Sequence, residues 1–236
     1  LFRKITASYY LKGYDEIDVK IDSIQKSRDI EKRVDLMIGM EVIEQKKDML
    51  KLKDMGKAEE ENIDSVIKRI LHLLHSISGE VLKAVEKGEH DLTYLSDSEK
   101  HVNRFSDYAL RLLYSRGYVD QKKTAPLYTV VFLLELLGDT YKHFVNHITE
   151  NKLTLRKELI LLYKEIDDYH KEFYNHFMNH SYEGAISLAK RRDEIIAKIN
   201  DMKNRSKDTK EVEILNYFEK ITEYIINIMG LLLVVN

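Results

Sequence analysis

From about Glu59 onward one pattern governs the chain: apolar residues return every three or four positions, and very little interrupts them. Ile63, Val66, Ile67, Ile70, Leu73, Leu74, Ile77, Val81 and Val85 trace a single stripe that ends at Gly88. Residues at this spacing share one face of a helix, so the stripe must be buried against other helices. One Pro and nine Gly in 236 residues leave few positions that oblige a long helix to stop. The pattern therefore predicts a mainly α-helical protein.

The same period recurs five more times. A second helix is predicted over Leu92 to Tyr114, carrying Leu95, Val102, Phe105, Ala109, Leu112 and Leu113, and stopping before Gly117. A third places Pro126 in its first turn, where Pro is tolerated, and runs to about Thr149. Three more follow over Leu153 to Met178, Tyr182 to Met202 and Thr209 to Val234. Short polar breaks between them imply antiparallel neighbours. The layout is helix-helix-helix, twice: one three-helix bundle in 57–151 and another in 152–236.

Residues 1–56 differ in character and predict a small α+β segment. Phe2 to Leu11 has helical spacing, Glu16 to Ile21 alternates polar and apolar, and Asp29 to Ile38 returns to a helix. Two further strands, Met40 to Glu44 and Met49 to Lys53, flank a Lys46-Lys47 turn.

Charged residues make up 33% of the chain and hydrophobic ones 44%, which points to charged helix faces over a real core and not to disorder. A formal net charge of −2 gives no basic field, so direct nucleic-acid binding is not expected. Lys190-Arg191-Arg192 reads as a solvated helix face. Cysteine is absent, which excludes disulfides, thiolate metal sites and Cys nucleophiles and fits a reducing, cytoplasmic setting. The run Ile225 to Val235 is interrupted by Asn227 and Gly230 and is too short to span a bilayer, so it predicts a buried helix end. No membrane insertion is expected. Nor is a signal peptide, since no long apolar core follows Arg3 and Lys4.

Two carboxylate pairs carry the chemistry. Glu135 and Asp139 lie four apart on the third long helix, and Glu219 and Glu223 lie four apart on the sixth. Residues at that spacing stand one turn above each other on the same face, where like charges repel. Glu135 sits inside Val130-Val131-Phe132-Leu133-Leu134-Glu135-Leu136-Leu137, which predicts burial on every side. It must take a partner from another helix, hold a proton through a raised pKa, or bind a metal. Asp139 has Lys142 and His143 within a turn. Glu219 and Glu223 border the stripe Ile214, Phe218, Ile221, Ile225 and Ile228, so a solvated boundary and a ligand role both stay open.

Oxygen ligands of this kind suit magnesium, manganese or iron. A ferritin-like di-iron enzyme needs Glu-x-x-His, which Glu135-Leu136-Leu137-Gly138 does not supply. No phosphate loop or nucleophile elbow is present either. An enzyme is therefore not expected, with a carboxylate-bridged metalloenzyme as the remote alternative. His72 and His75 read as packing or boundary residues. His170, His176 and His180, near Asp167, Asp168 and Glu172, read as a solvated face in preference to a zinc site.

Leu134-Glu135-Leu136-Leu137-Gly138-Asp139 and Phe218-Glu219-Lys220-Ile221-Thr222-Glu223, with Asn227 following, resemble the signature helix of the PhoU (phosphate-uptake regulator) family. Glu99-Lys100-His101-Val102-Asn103 looks like that family's companion acidic pattern in repeat one. In repeat two, Asp193 is kept but Ala197 stands at the second position. Arg3 to Ile17, together with Ile38-Gly39-Met40-Glu41-Val42-Ile43-Glu44, is similar to archaeal PhoU-like proteins, where such a segment often follows an AbrB-type DNA-binding domain. That domain is not in this chain.

The resemblance implies a six-helix protein of two three-helix bundles that regulates a phosphate ABC transporter or its sensor kinase, and a homodimer is expected. It further implies iron, zinc or other divalent metal at two acidic sites. The first would use Glu99, Asn103, Glu135 and Asp139; the second would use Asp193, Glu219 and Glu223. The alternative is the dimerisation or sensor part of a transcriptional regulator, with carboxylates that make only salt bridges.

Overall fold

The structure is a computed structural model that describes residues 2–56, 62–179 and 182–235. Its amino-terminal module runs α1 (Phe2–Leu11), β1 (Glu16–Lys20), α2 (Ile24–Val34), β2 (Met40–Gln45) and β3 (Met49–Asp54). The strands form an antiparallel sheet in the order β1-β3-β2, with Ile17 opposite Leu52 and Val19 opposite Leu50. The alternating residues Ile17, Val19, Leu50 and Leu52 turn inward onto Tyr10, Ile30, Val34 and Met37. This small core explains why a period of two in sequence becomes a one-sided sheet.

Six long helices follow: α3 (Ile63–Glu86), α4 (Thr93–Arg116), α5 (Gln121–Asn151), α6 (Lys157–Asn179), α7 (Tyr182–Arg205) and α8 (Thr209–Val235). The predicted stripe of the first is buried from Val66 to Val85 apart from Leu73, which is half-buried. Within each half the three helices pack on one another. Across the halves α3 meets α6 and α5 meets α8, so one continuous core joins the two bundles. Helices α4 and α7 flank that core on the outside.

Some boundaries differ from the sequence expectation. Helix α5 begins at Gln121, so Pro126 lies in its second turn and not its first. Asp120 accepts from the Lys122 amide at 3.1 Å and starts the helix early, leaving Pro126 to remove one backbone bond. Helix α2 starts at Ile24 because Ser23 caps it, its hydroxyl accepting from the Lys26 amide. The expected onset of α3 near Glu59 lies outside the described residues, and Asn62 caps the helix that is seen. The carboxyl-terminal run does bury Ile225, Ile228, Met229 and Leu232. Among the described residues no helix is long and apolar enough to cross a membrane.

The module is fastened to the first half through α4. Arg111, only 4% exposed, donates to Asp54 at 2.7 Å and to the Tyr10 carbonyl at 2.6 Å, with its guanidinium over the Tyr10 ring. A methyl group at Gly13 would meet Ser115 Cβ at 2.8 Å, so the backbone after α1 approaches α4 as closely as glycine allows. A second fastening, from Arg33 to Asp107, leads directly into the acidic site.

Candidate metal centre

Helices α4 and α5 bring the first predicted set together. Glu99 and Asn103 rise along α4, and Glu135 and Asp139 along α5. Gly138 makes this possible: a Cβ there would stand 2.9 Å from Val102 on α4. Helix α8 carries Thr222, a fully buried residue, three positions after Glu219, where Gly138 stands three after Glu135.

Glu99 is 2% exposed. One carboxylate oxygen lies 3.2 Å from Lys142 Nζ, and the other is buried with no hydrogen-bond partner. Lys142 also reaches Asp139 at 3.3 Å. Burial, with Asp139 beside it, pushes the Glu99 carboxyl up to about 7 despite Lys142. Asn103 leaves its side-chain oxygen buried and unpartnered.

Glu135 takes no hydrogen bond or ion pair from any described residue. Burial raises its carboxyl to about 7, helped by the fields of Asp107, Asp139 and Glu99, while Arg33 works in the opposite direction. Burial on every side, as the sequence predicts, is not observed. Glu135 is half-buried, and Phe132 beside it is 47% exposed. The helix is apolar all round there because its buried face meets α4, α3 and α8 while the remainder faces outward.

Asp107 is a further buried carboxylate on α4 that the sequence analysis did not single out. It stands four residues after Asn103 and eight after Glu99, hence on the same face of α4. That spacing is readable in the sequence. The Arg33 guanidinium donates to it at 2.6 Å, and burial still raises its carboxyl.

The second predicted set has a different balance of charge. Glu219 receives Lys203 at 2.5 Å and Glu223 receives Arg192 at 2.5 Å. Asp193, 71% exposed, is paired with the same Arg192 at 2.7 Å. These carboxylates are close to cations on α7, not to one another's empty oxygens. The donor set here does not fit a cationic cluster. Among the described residues no group of three or more His, Asp or Glu already stands in metal-holding geometry. The first set offers hard oxygen donors with a net negative charge and two oxygens orphaned in the interior, while Lys142 already bridges Glu99 and Asp139.

His170 and Asp167 differ from expectation, whereas His75 packs as expected. His170 and Asp167 are fully buried at the seam of α3, α5 and α6, not on a solvated face. Tyr141 Oη lies 2.8 Å from His170 Nδ1, Ser78 donates to Asp167 at 2.8 Å, and His75 stacks on Tyr174. Burial drives the His170 imidazole down to about 3. His176 reaches Glu172 at 3.7 Å, and His180 lies outside the described residues.

No family model matches the chain, and no curated protein matches it. Among solved structures, it is similar to the crystal structure of the phosphate transport system regulatory protein PhoU from Streptococcus pneumoniae. The two superpose with a TM-score of 0.56 at 17% identity, over 76% of this chain and 94% of that one. The coverage leaves room in this chain for a segment that the bacterial protein does not share. The fold is therefore a PhoU-like pair of three-helix bundles behind a small α+β module.

Proposed function

We propose that the chain is a non-enzymatic regulator of phosphate uptake or phosphate signalling: a cytoplasmic helical adaptor that docks on a phosphate transporter or its sensor kinase. The observation that carries this reading is the likeness to the streptococcal PhoU over nearly all of that protein's length. The archaeal type of the family, with its amino-terminal segment, is consistent with the module ahead of the bundles. Deleting the gene in its host tests the reading. Phosphate uptake that no longer falls when phosphate is plentiful is expected; uptake and transporter expression identical to wild type would overturn it.

The metal reading narrows to one site. Glu99, Asn103, Glu135 and Asp139 would hold a divalent ion such as iron, manganese or zinc, which would supply the positive charge this cluster lacks. The orphaned Glu99 and Asn103 oxygens support it. Metal analysis of the purified protein is the test: stoichiometric metal in the wild type and none in Glu135→Ala. Metal-free wild type would leave the salt-bridge alternative standing, which the Lys203 and Arg192 pairs already favour for the second half.

A further inference from the structure

We infer that the outward face shared by α5 and α8 is a docking groove for an amphipathic helix of a second protein, one that sets a Lys or Arg a turn beyond its apolar residues so that it meets Glu135. The inference deepens the adaptor reading by naming the surface and the chemistry of what it holds.

Helices α4, α5, α8 and α7 lie side by side in one layer, with α3 beneath α5 and α6 beneath α8. The two central helices are thus free on the side away from α3 and α6, and residues exposed there point outward. Along α5 that side carries Tyr128 and Phe132, both exposed, and the half-buried Leu136. Their spacing of four aligns them in one row. Phe144 stands edge-on to Phe218 at 5.3 Å, and His147 lies 3.3 Å from the Lys210 carbonyl, so α8 runs antiparallel beside α5. Counting along both helices from the Phe144–Phe218 pair brings Phe132 level with Gly230 and Tyr128 level with Val234. Val234 is 69% exposed, Leu231 is half-buried, and a Cβ at Gly230 would meet nothing within 4 Å. Apolar side chains gathered in this way on a polar surface mark a protein contact, and bare backbone at Gly230 lets another helix come close.

Charge sets what that helix must carry. Glu135 lies one turn along the row from Phe132, half-buried, and no described residue gives it a hydrogen bond or an ion pair. The neighbouring carboxylates are already matched: Asp139 by Lys142, Glu223 by Arg192 and Glu219 by Lys203. The need for a cation is therefore local to Glu135. A second copy pairing this face with itself does not meet it, because Lys142, Arg192 and Lys203 are engaged and Lys220 is level with Lys142, two turns from Glu135. An anionic bilayer would be repelled by the same carboxylate. An amphipathic helix with one basic residue beyond its apolar row satisfies both the strip and the charge.

Fluorescence anisotropy with labelled synthetic helices tests this, with a chelator present so that no metal reaches Glu135. The probe is a peptide of about eighteen residues with Leu in a row four apart and Lys one turn beyond, Ala and Gln elsewhere; its twin has Glu in place of Lys. The wild-type chain is expected to bind the Lys peptide about tenfold more tightly than the Glu peptide. Glu135→Gln is expected to erase that preference while still binding both peptides, and Phe132→Asp to lose both. Val234→Asp, on the other helix, repeats the last arm should Phe132→Asp fold poorly. Equal binding of the two peptides by the wild type, a preference that survives Glu135→Gln, or no binding of either peptide would overturn the groove, while the adaptor reading still stands or falls on phosphate uptake. A wild-type dimer that Phe132→Asp dissociates in sedimentation would also overturn it, by showing that a second copy covers the face.

Discussion

The two halves of the bundle carry carboxylates on matching helices, yet they balance them differently. In the second half α7 supplies Lys203 to Glu219 and Arg192 to Glu223, and the face is closed to further cations. In the first half Lys142 serves Glu99 and Asp139, while no described residue pairs with Glu135, and the Glu99 and Glu135 carboxyls are both pushed up to about 7. The amino-terminal module covers the first half alone and brings Arg33 to it. The lesson is that a shared motif does not fix a shared role. What neighbouring helices and modules donate decides whether a carboxylate pair is an ion-pair surface or an open site.

The strongest way to break this comparison is to remove the module's anchor. Arg111→Ala leaves Asp54, 9% exposed at its side chain, without its cation and frees the Tyr10 carbonyl. Breaking a buried pair of this kind costs about 3–5 kcal/mol, so a large drop in the denaturation midpoint is expected. Amide exchange should locate the loss in the module and α4. Equal loss across α7 and α8 would show that the halves do not differ in the way described.

The seam between the halves gives a pH prediction. His170 is fully buried and faces His75 on α3 and Tyr141 on α5, with Phe173 packed on its ring. Its imidazole is held down to about 3, below the unfolded value. Between those values the unfolded chain binds a proton that the folded chain refuses, so stability falls as pH drops. The slope approaches about 1.4 kcal/mol per pH unit below about pH 6.5. Glu99 and Glu135 act with the opposite sign, since their raised carboxyls take up protons on the folded side first. The His170 contribution is therefore read as a difference: urea stability of His170→Phe minus that of wild type, from pH 7 to pH 5. The difference should move in favour of the variant by about 2 kcal/mol over that range. A flat difference would mean that His170 takes up its proton as readily in the folded chain as in the unfolded one.

Much of this was legible in the sequence, and the failures have physical causes. The six helices follow from apolar period alone, because a three-to-four repeat sustained over twenty residues has few other solutions. The first strand followed from alternation, and the other two from the Lys46-Lys47 turn between them. Helix α2 was read short at its start because Gln25 to Arg28 is polar, and only the Ser23 cap announces it. His170 and Asp167 were misread because charged neighbours such as Asp168 and Lys171 suggested water, whereas their phase with Ile166 and Phe173 places them inside. Glu135 was singled out from its apolar run, whereas Arg33 and Asp107 were not. Their meeting joins residues far apart in the chain, and no local pattern records it.

The sign of a single substitution distinguishes the halves more sharply. Glu135→Leu removes a carboxylate whose raised pKa is itself a cost of folding at neutral pH, on a half-buried position of α5. The shift to about 7 sets a ceiling near 3 kcal/mol, and partial exposure reduces it, so a gain of about 1–2 kcal/mol is expected. Thermal denaturation in the presence of a chelator measures it without interference from metal. A loss would mean that Glu135 has a favourable partner in the folded state.

The smallest effects belong to the second half. Lys203→Met and Arg192→Met each break an ion pair whose members are between 19% and 38% exposed, apart from the freely solvated Asp193. Water screens such pairs, and a loss of about 0.2–1 kcal/mol is expected for each. The more informative measurement is what the variants do not gain. Stripping Lys203 and Arg192 leaves Glu219 and Glu223 as cation-poor as Glu135, but Ala197 offers no oxygen and Asp193 points into solvent. Mn2+ binding should therefore not appear in the double variant. Its appearance would mean that ion pairing alone separates the halves, and that the close approach at Gly138 and the Asn103 oxygen contribute nothing to the first.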